Sequence, residues 1–211
     1  MSEPVLYPVL KDDEPVRQFN ELDASLTYSY SNYLNWLFPE RVELIKGKIF
    51  KMSPAPSSVH QEIVGNIFLK LGNFLKKQPC KVYLSPFDVR FPKESRNDQA
   101  IFTVLQPDIC VICDKNKIDA RGCIGAPDLV VEVLSPGNTK MELLNKYHVY
   151  EESGVKEYWV VSQGDKSILI YTLNEIGKFE PSKIFTLSEK ITSTVLPGFE
   201  LALDDVFDDV E

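Results

Sequence analysis

Glu132 stands inside Asp128-Leu129-Val130-Val131-Glu132-Val133-Leu134-Ser135, a run so apolar and β-branched that it reads as a buried strand. An ionised carboxylate in such a strand is costly unless it is paired, hydrogen-bonded or held against a cation. A second carboxylate, Asp108, opens a similar run, Gln106-Pro107-Asp108-Ile109-Cys110-Val111-Ile112-Cys113. Two acids on two apolar strands make one oxygen-rich site, and such ligands suit a hard cation, Mg2+ with Mn2+ as a substitute. In metal-assisted phosphodiester hydrolysis an ion of this kind polarises a phosphoryl oxygen and activates a water for in-line attack. A lysine beside that water positions it and balances charge on the phosphoryl oxygens, and Lys146 follows Glu132 on the next helical segment. Glu43, on an earlier strand, completes the shell or serves a second ion. No serine or cysteine with an adjacent base is visible, which agrees with attack by water.

These residues need rigid elements. Val42-Glu43-Leu44-Ile45 and Lys48-Ile49-Phe50-Lys51-Met52 flank Lys46-Gly47 and read as a hairpin. A short helix precedes it, carried by Tyr30, Tyr33, Leu34 and Leu37 and stopped by Pro39. Val59, Ile63, Val64, Ile67, Phe68, Leu71, Phe74 and Leu75 trace one helical face, with Ser57 or Ser58 as cap, Pro79 beyond the end and His60 in the first turn. Strands are expected over 81–91, interrupted at Pro86, and over 101–105, with a loop over 92–100 between them. The charged, glycine-bearing stretch 114–125 reads as a connection. After the Glu132 strand, Met141, Leu143, Leu144, Tyr147 and Tyr150 recur at helical spacing, with a capping box Thr139-x-x-Glu142 and a stop at Gly154. Tyr158-Trp159-Val160-Val161 is then a buried strand, so strand, helix and strand form a βαβ crossover. The fold class is α+β: a curved, mixed, largely antiparallel sheet with one crossover and flanking helices.

At 211 residues, 44% of them hydrophobic, the chain is long and apolar enough for one domain over 24–211. Residues 1–23, with Pro4, Pro8 and Pro15 and no clear period, read as a partly ordered arm. The net charge of −8 is unfavourable for a nucleic-acid partner unless it is localised. It is localised: six acids against Lys11 and Arg17 lie in residues 1–23, and five acids with no base in residues 201–211. The nearly neutral body carries lysine clusters at Lys46, Lys48 and Lys51, at Lys70, Lys76, Lys77 and Lys81, and at Lys140, Lys146 and Lys156. Singly, each cluster also reads as an ordinary solvated face. No segment resembles a membrane span or a secretion signal, so the expected location is the cytoplasm. The four cysteines show no disulfide framework, and Cys110 and Cys113 point to opposite faces of a strand, against a zinc half-site.

Blander roles stand beside these. Asp108 and Glu132 could form a structural cluster with a lysine, although two acids and one base leave surplus negative charge. Asp128 rivals Asp108, because Pro127-Asp128 precedes the same strand, but it lies about 13 Å along the backbone from Glu132, too far to share an ion. Lys146 could be solvated, His60 a helix-start or surface residue, and Asp88 a strand-rim partner of Arg90. His148 projects from another side of its helix and reads as structural.

The spacing Pro107-Asp108 … Glu132-Val133-Leu134 resembles the PD-(D/E)XK nucleases, with Leu134 where their lysine stands. A longer resemblance links the chain to the Uma family of restriction-endonuclease-like proteins, in which the lysine has moved to the following helix. It rests on Glu43 to Ile49, Met52 to Pro56 with His60-Gln61, Ser85 to Arg90, Gln106-Pro107-Asp108, Gly125 to Pro136, Lys146 with Tyr150, and Gly154 to Val161, within about residues 27–203. The resemblance implies a restriction-endonuclease-like core and a Mg2+ site at Glu43, Asp108, Glu132, the Val133 carbonyl and Lys146, with His60 as a further site residue. The expected function is Mg2+-dependent hydrolysis of DNA, with a homodimer as partner arrangement where both strands are cut. The alternatives are a non-catalytic nucleic-acid binding or assembly module on the same fold, and a hydrolase of smaller phosphate esters. A buried, unpaired Glu132 also implies that Glu132→Gln removes activity while leaving the fold intact or more stable.

Overall fold

A computed structural model describes residues 15–52, 56–135 and 140–208. Part of the N-terminal arm, Ser53 to Ala55, the capping-box residue Thr139 and the last acidic residues lie outside them. The helices are α1 (Tyr30–Tyr33), α2 (Ser58–Leu75), α3 (Lys140–Ser153) and α4 (Leu203–Phe207). The strands are β1 (Val42–Ile45), β2 (Lys48–Lys51), β3 (Lys81–Leu84), β4 (Val89–Arg90), β5 (Val104–Leu105), β6 (Ile109–Ile112), β7 (Ile118–Asp119), β8 (Gly122–Ile124), β9 (Leu129–Leu134), β10 (Glu157–Ser162), β11 (Ser167–Leu173), β12 (Phe179–Phe185), β13 (Lys190–Thr192) and β14 (Glu200–Ala202). The chain divides into two compact units, residues 1–52 with 90–105, and residues 53–89 with 106–211.

In the first unit β1 and β2 form the hairpin, Glu43 opposite Phe50. Lys46 and Gly47 both take positive φ at its turn, +51° and +76°, as a two-residue loop matching the strand twist requires. A β-carbon on Gly47 would meet Thr27 Cγ2 at 2.2 Å, so that turn needs glycine twice over. β5 joins β1 through Leu44 and Val104. Helix α1 is a single turn, shorter than the spacing through Leu37 suggests: Ser29 and Asn32 close a capping box at its start, and Leu37 is exposed.

The second unit is built on a six-stranded sheet in the order β12-β11-β10-β9-β6-β3. Only β9 and β10 run parallel, and α3 connects them, giving the crossover. Val131, Val133, Trp159 and Val161 point to the face covered by α2 and α4, where Ile63, Ile67, Leu71, Leu203 and Val206 complete the core. Glu157 anchors this face: its wholly buried carboxylate accepts from Trp159 Nε1 at 2.6 Å and from Thr194 N at 2.7 Å and Oγ1 at 2.6 Å.

Three expectations need correction here. The stretch 114–125 contains a 3-10 turn and the β7–β8 hairpin rather than only a connection. Gly122 (φ +123°) permits this hairpin, since a β-carbon there would lie 2.2 Å from the Asp88 carbonyl oxygen. Cys80 and Cys113 are joined by a disulfide. The antiparallel register that sets Lys81 opposite Ile112 brings these two cysteines face to face, a pairing that spacing along the chain does not reveal. Finally, the apolar spacing of α3 does not mark its buried face. Met141 and Leu144 are exposed, whereas Lys146, Val149 and Tyr150 are buried.

Candidate active site

Strand β9 outruns its neighbour, and the site forms where it does. The last β6–β9 partners are Ile109 and Val131, so Val133 extends past the start of β6. Its backbone N–H and C=O are buried polar groups that need partners in place of the missing ladder bonds. Asp108 Oδ2 accepts the Val133 N–H at 2.8 Å. His60 Nε2 lies 3.0 Å from the Val133 carbonyl oxygen and 3.3 Å from Asp108 Oδ2. Facing two acceptors, Nε2 carries the proton, while the buried Nδ1 has no hydrogen-bond partner among the described residues. Helix α2 delivers this histidine because His60 shares the buried stripe of Ile63, Val64 and Ile67, and Ser57 Oγ caps the helix by accepting the His60 N–H.

Asp108 and Glu132 are the next residues on each strand beyond the last pair, Ile109 and Val131, and both charges bear on His60. Two carboxylates brought to one strand end repel, so a positive group beside them is stabilising. From α3, Lys146 Nζ donates to both Glu132 oxygens, at 3.0 and 3.1 Å, and Tyr150 Oη donates to Oε1 at 2.6 Å. Glu132 is 7% exposed and Lys146 6%. Lys146 is thus buried, not solvated. The expectation for Glu132→Gln changes accordingly: Glu132 is paired, and its neutralisation would take a counter-charge from a buried ammonium.

Burial opposes charge on His60, yet the Asp108 hydrogen bond and charge, the Val133 carbonyl and the Glu132 charge outweigh it and raise its pKa above the ordinary imidazole value. A raised histidine stabilises the fold fully below its unfolded pKa, and that contribution is lost as pH rises through the folded value. NMR titration of the ring protons without added metal should therefore give a value above the ordinary one. Asp108→Asn should lower it, and a value indifferent to that substitution would place the imidazolium's partner elsewhere.

The sequence from 31 to 204 matches the family model Uma2, described as "Putative restriction endonuclease". The chain belongs to the Uma2 family. Among solved structures, one described as "a putative nuclease belonging to DUF820 from Anabaena variabilis" has the same fold, with TM-score 0.67 and 20% identity over 85% of this chain and 97% of that one. A comparison with curated proteins finds no match.

Of the residues the Uma2 resemblance implies, His60, Asp108, Glu132, the Val133 carbonyl and Lys146 converge in the second unit. Glu43 is buried on β1 of the first unit. Asp128 lies at the other end of β9, where Oδ2 accepts the Cys113 N–H at 2.7 Å and Oδ1 binds Lys156 at 2.7 Å, a strand-start role. The Asp88 carboxylate accepts from Gln106 Nε2 at 2.8 Å. His148 is on the exposed side of α3. Sequence reading did not single out Tyr150 as a site residue. The signal was present in its position four residues after Lys146, which puts both on one helical face. No helix of the described residues is long and apolar enough to cross a membrane.

Proposed function

We propose that this Uma2 protein is a divalent-cation-dependent nuclease that hydrolyses DNA phosphodiester bonds without a covalent enzyme intermediate. The observation that carries the reading is the juxtaposition, at one strand end, of Asp108, Glu132, the Val133 carbonyl and a buried Lys146. Among the described residues no group of three His, Cys, Asp or Glu side chains is set to enclose a metal. The donor set is instead two carboxylates and a carbonyl, all hard oxygens, which fits Mg2+ or Mn2+ keeping part of its water shell. Asp108, Glu132 and the Val133 carbonyl would hold the ion. When bound, it would supply Lewis-acid polarisation of the phosphoryl oxygen and a nucleophilic water.

The chain's own groups divide the remaining work. With a cation held by Glu132, the Lys146 ammonium that now donates to that carboxylate would be available to hold the attacking water and balance negative charge on the phosphoryl oxygens. His60 keeps the Val133 carbonyl and Asp108 aligned from α2. Cutting both strands requires two such sites, so a homodimer is the expected form on duplex DNA, and the cytoplasm is the expected place of action.

Purified protein should nick or cleave DNA with Mg2+ or Mn2+ and fall silent in excess chelator, as followed on supercoiled plasmid. Ca2+ should bind yet support little turnover, because its looser shell positions water poorly. Undiminished cleavage in chelator would rule the mechanism out. Two features favour a second reading, a nucleic-acid binding module without catalysis: Lys146 engages both Glu132 oxygens, and Leu134 replaces the strand lysine. Retained DNA binding with no cleavage under any divalent cation would favour it.

A further inference from the structure

We propose that Tyr150 is the positioning residue that keeps Glu132 aimed at the cation once Lys146 lets go of it. This inference rests on the metal-site reading above and names a residue that reading does not use. Lys146 cannot neutralise Glu132 and attend the reacting phosphate at once, so binding of a cation must free its ammonium from the carboxylate. Glu132 would then be left to rotate unless another donor holds it.

Tyr150 is that donor. Its hydroxyl meets Oε1 at 2.6 Å, shorter than either lysine contact, and the side chain is fully buried. Its placement does not depend on Lys146. The ring packs edge-on against Tyr158 at 5.0 Å between centroids, and Tyr158 stacks on Tyr171 at 5.8 Å. Tyr158 in turn is fixed in the sheet, opposite Val130 on one side and Tyr171 on the other. Burial, together with the nearby Glu132 charge, raises the Tyr158 phenol far above its ordinary value, so this support stays neutral. An aromatic column anchored in β10 and β11 thus presents one fixed hydroxyl to Oε1.

Lys146 and Tyr150 touch the same carboxylate and should nevertheless have opposite effects on cation binding. Mn2+ titrations by calorimetry, with no DNA present, read this directly. Tyr150→Phe should weaken Mn2+ binding by about tenfold, in the lower part of the range for lost outer contacts of metal ligands. Lys146→Met should leave Mn2+ binding unchanged or tighten it, because a competitor for Glu132 is gone. With DNA, Tyr150→Phe should lower kcat and leave KM nearly as it was. Tyr158→Leu leaves Tyr150, Glu132 and Lys146 unchanged and removes the ring against which Tyr150 packs. It should weaken Mn2+ binding in the same direction, and it supplies the test if the phenylalanine variant folds poorly.

Wild-type Mn2+ affinity in Tyr150→Phe, or in Tyr158→Leu where the phenylalanine variant does not fold, would overturn the proposal and leave Tyr150 a packing residue. Weakened Mn2+ binding in a protein that cuts no DNA would uphold the role of Tyr150 while overturning the nuclease reading. A wild-type protein that binds no Mn2+ would overturn both.

Discussion

Glu132→Gln should abolish cation-dependent cleavage and at the same time destabilise the fold, by about 3–5 kcal/mol in metal-free buffer. The activity loss follows from removing one of the two carboxylate charges proposed to hold the cation. The stability loss follows from Lys146, which is 7% exposed in its side chain and donates to both oxygens of Glu132. A neutral amide takes away the charge that both hydrogen bonds serve while the ammonium stays buried. Combining Glu132→Gln with Lys146→Met should recover much of the loss, since methionine needs no counter-charge and matches the length of the lysine stem. Urea denaturation of the four proteins in chelator measures the cycle. Additive losses would mean that the two side chains are not an energetic pair.

Lys146→Met should lower turnover on DNA by about a hundredfold or more while leaving cation affinity unweakened. Asp108→Asn differs, because it removes a ligand charge and should lose cation affinity as well as rate. The control is Lys140→Met at the exposed start of α3, which should weaken only the salt-sensitive part of DNA binding. Single-turnover rates at saturating cation separate these cases. Equal, modest losses for Lys146→Met and Lys140→Met would make Lys146 an ordinary phosphate contact and move the binding-module reading ahead.

Much of the fold was legible because its elements announce themselves locally. The α2 stripe, the Lys46-Gly47 hairpin and the Glu132 strand each carry a clear period or turn signal, and strand-helix-strand order gives the crossover. The buried face of α3 was not legible. Its apolar residues Met141 and Leu144 face outward while Lys146 faces in, because the partner it packs against is a carboxylate rather than an apolar surface. The Cys80–Cys113 pair was hidden for a related reason: it depends on the register between β3 and β6, which no local period encodes. In the site, the identities of Asp108, Glu132 and His60 could be read, but the way they join could not. That junction depends on β6 starting two residues short of Val133, leaving backbone groups that Asp108 and His60 must satisfy.

The most direct measurement is anomalous scattering from crystals of the protein grown with Mn2+. A peak is expected within coordination distance of Asp108, Glu132 and the Val133 carbonyl, with Lys146 Nζ withdrawn from Glu132 and Tyr150 still bonded to Oε1. Crystals saturated with Mn2+ that show no peak there, with the Lys146–Glu132 pair intact, would contradict the metal-site reading.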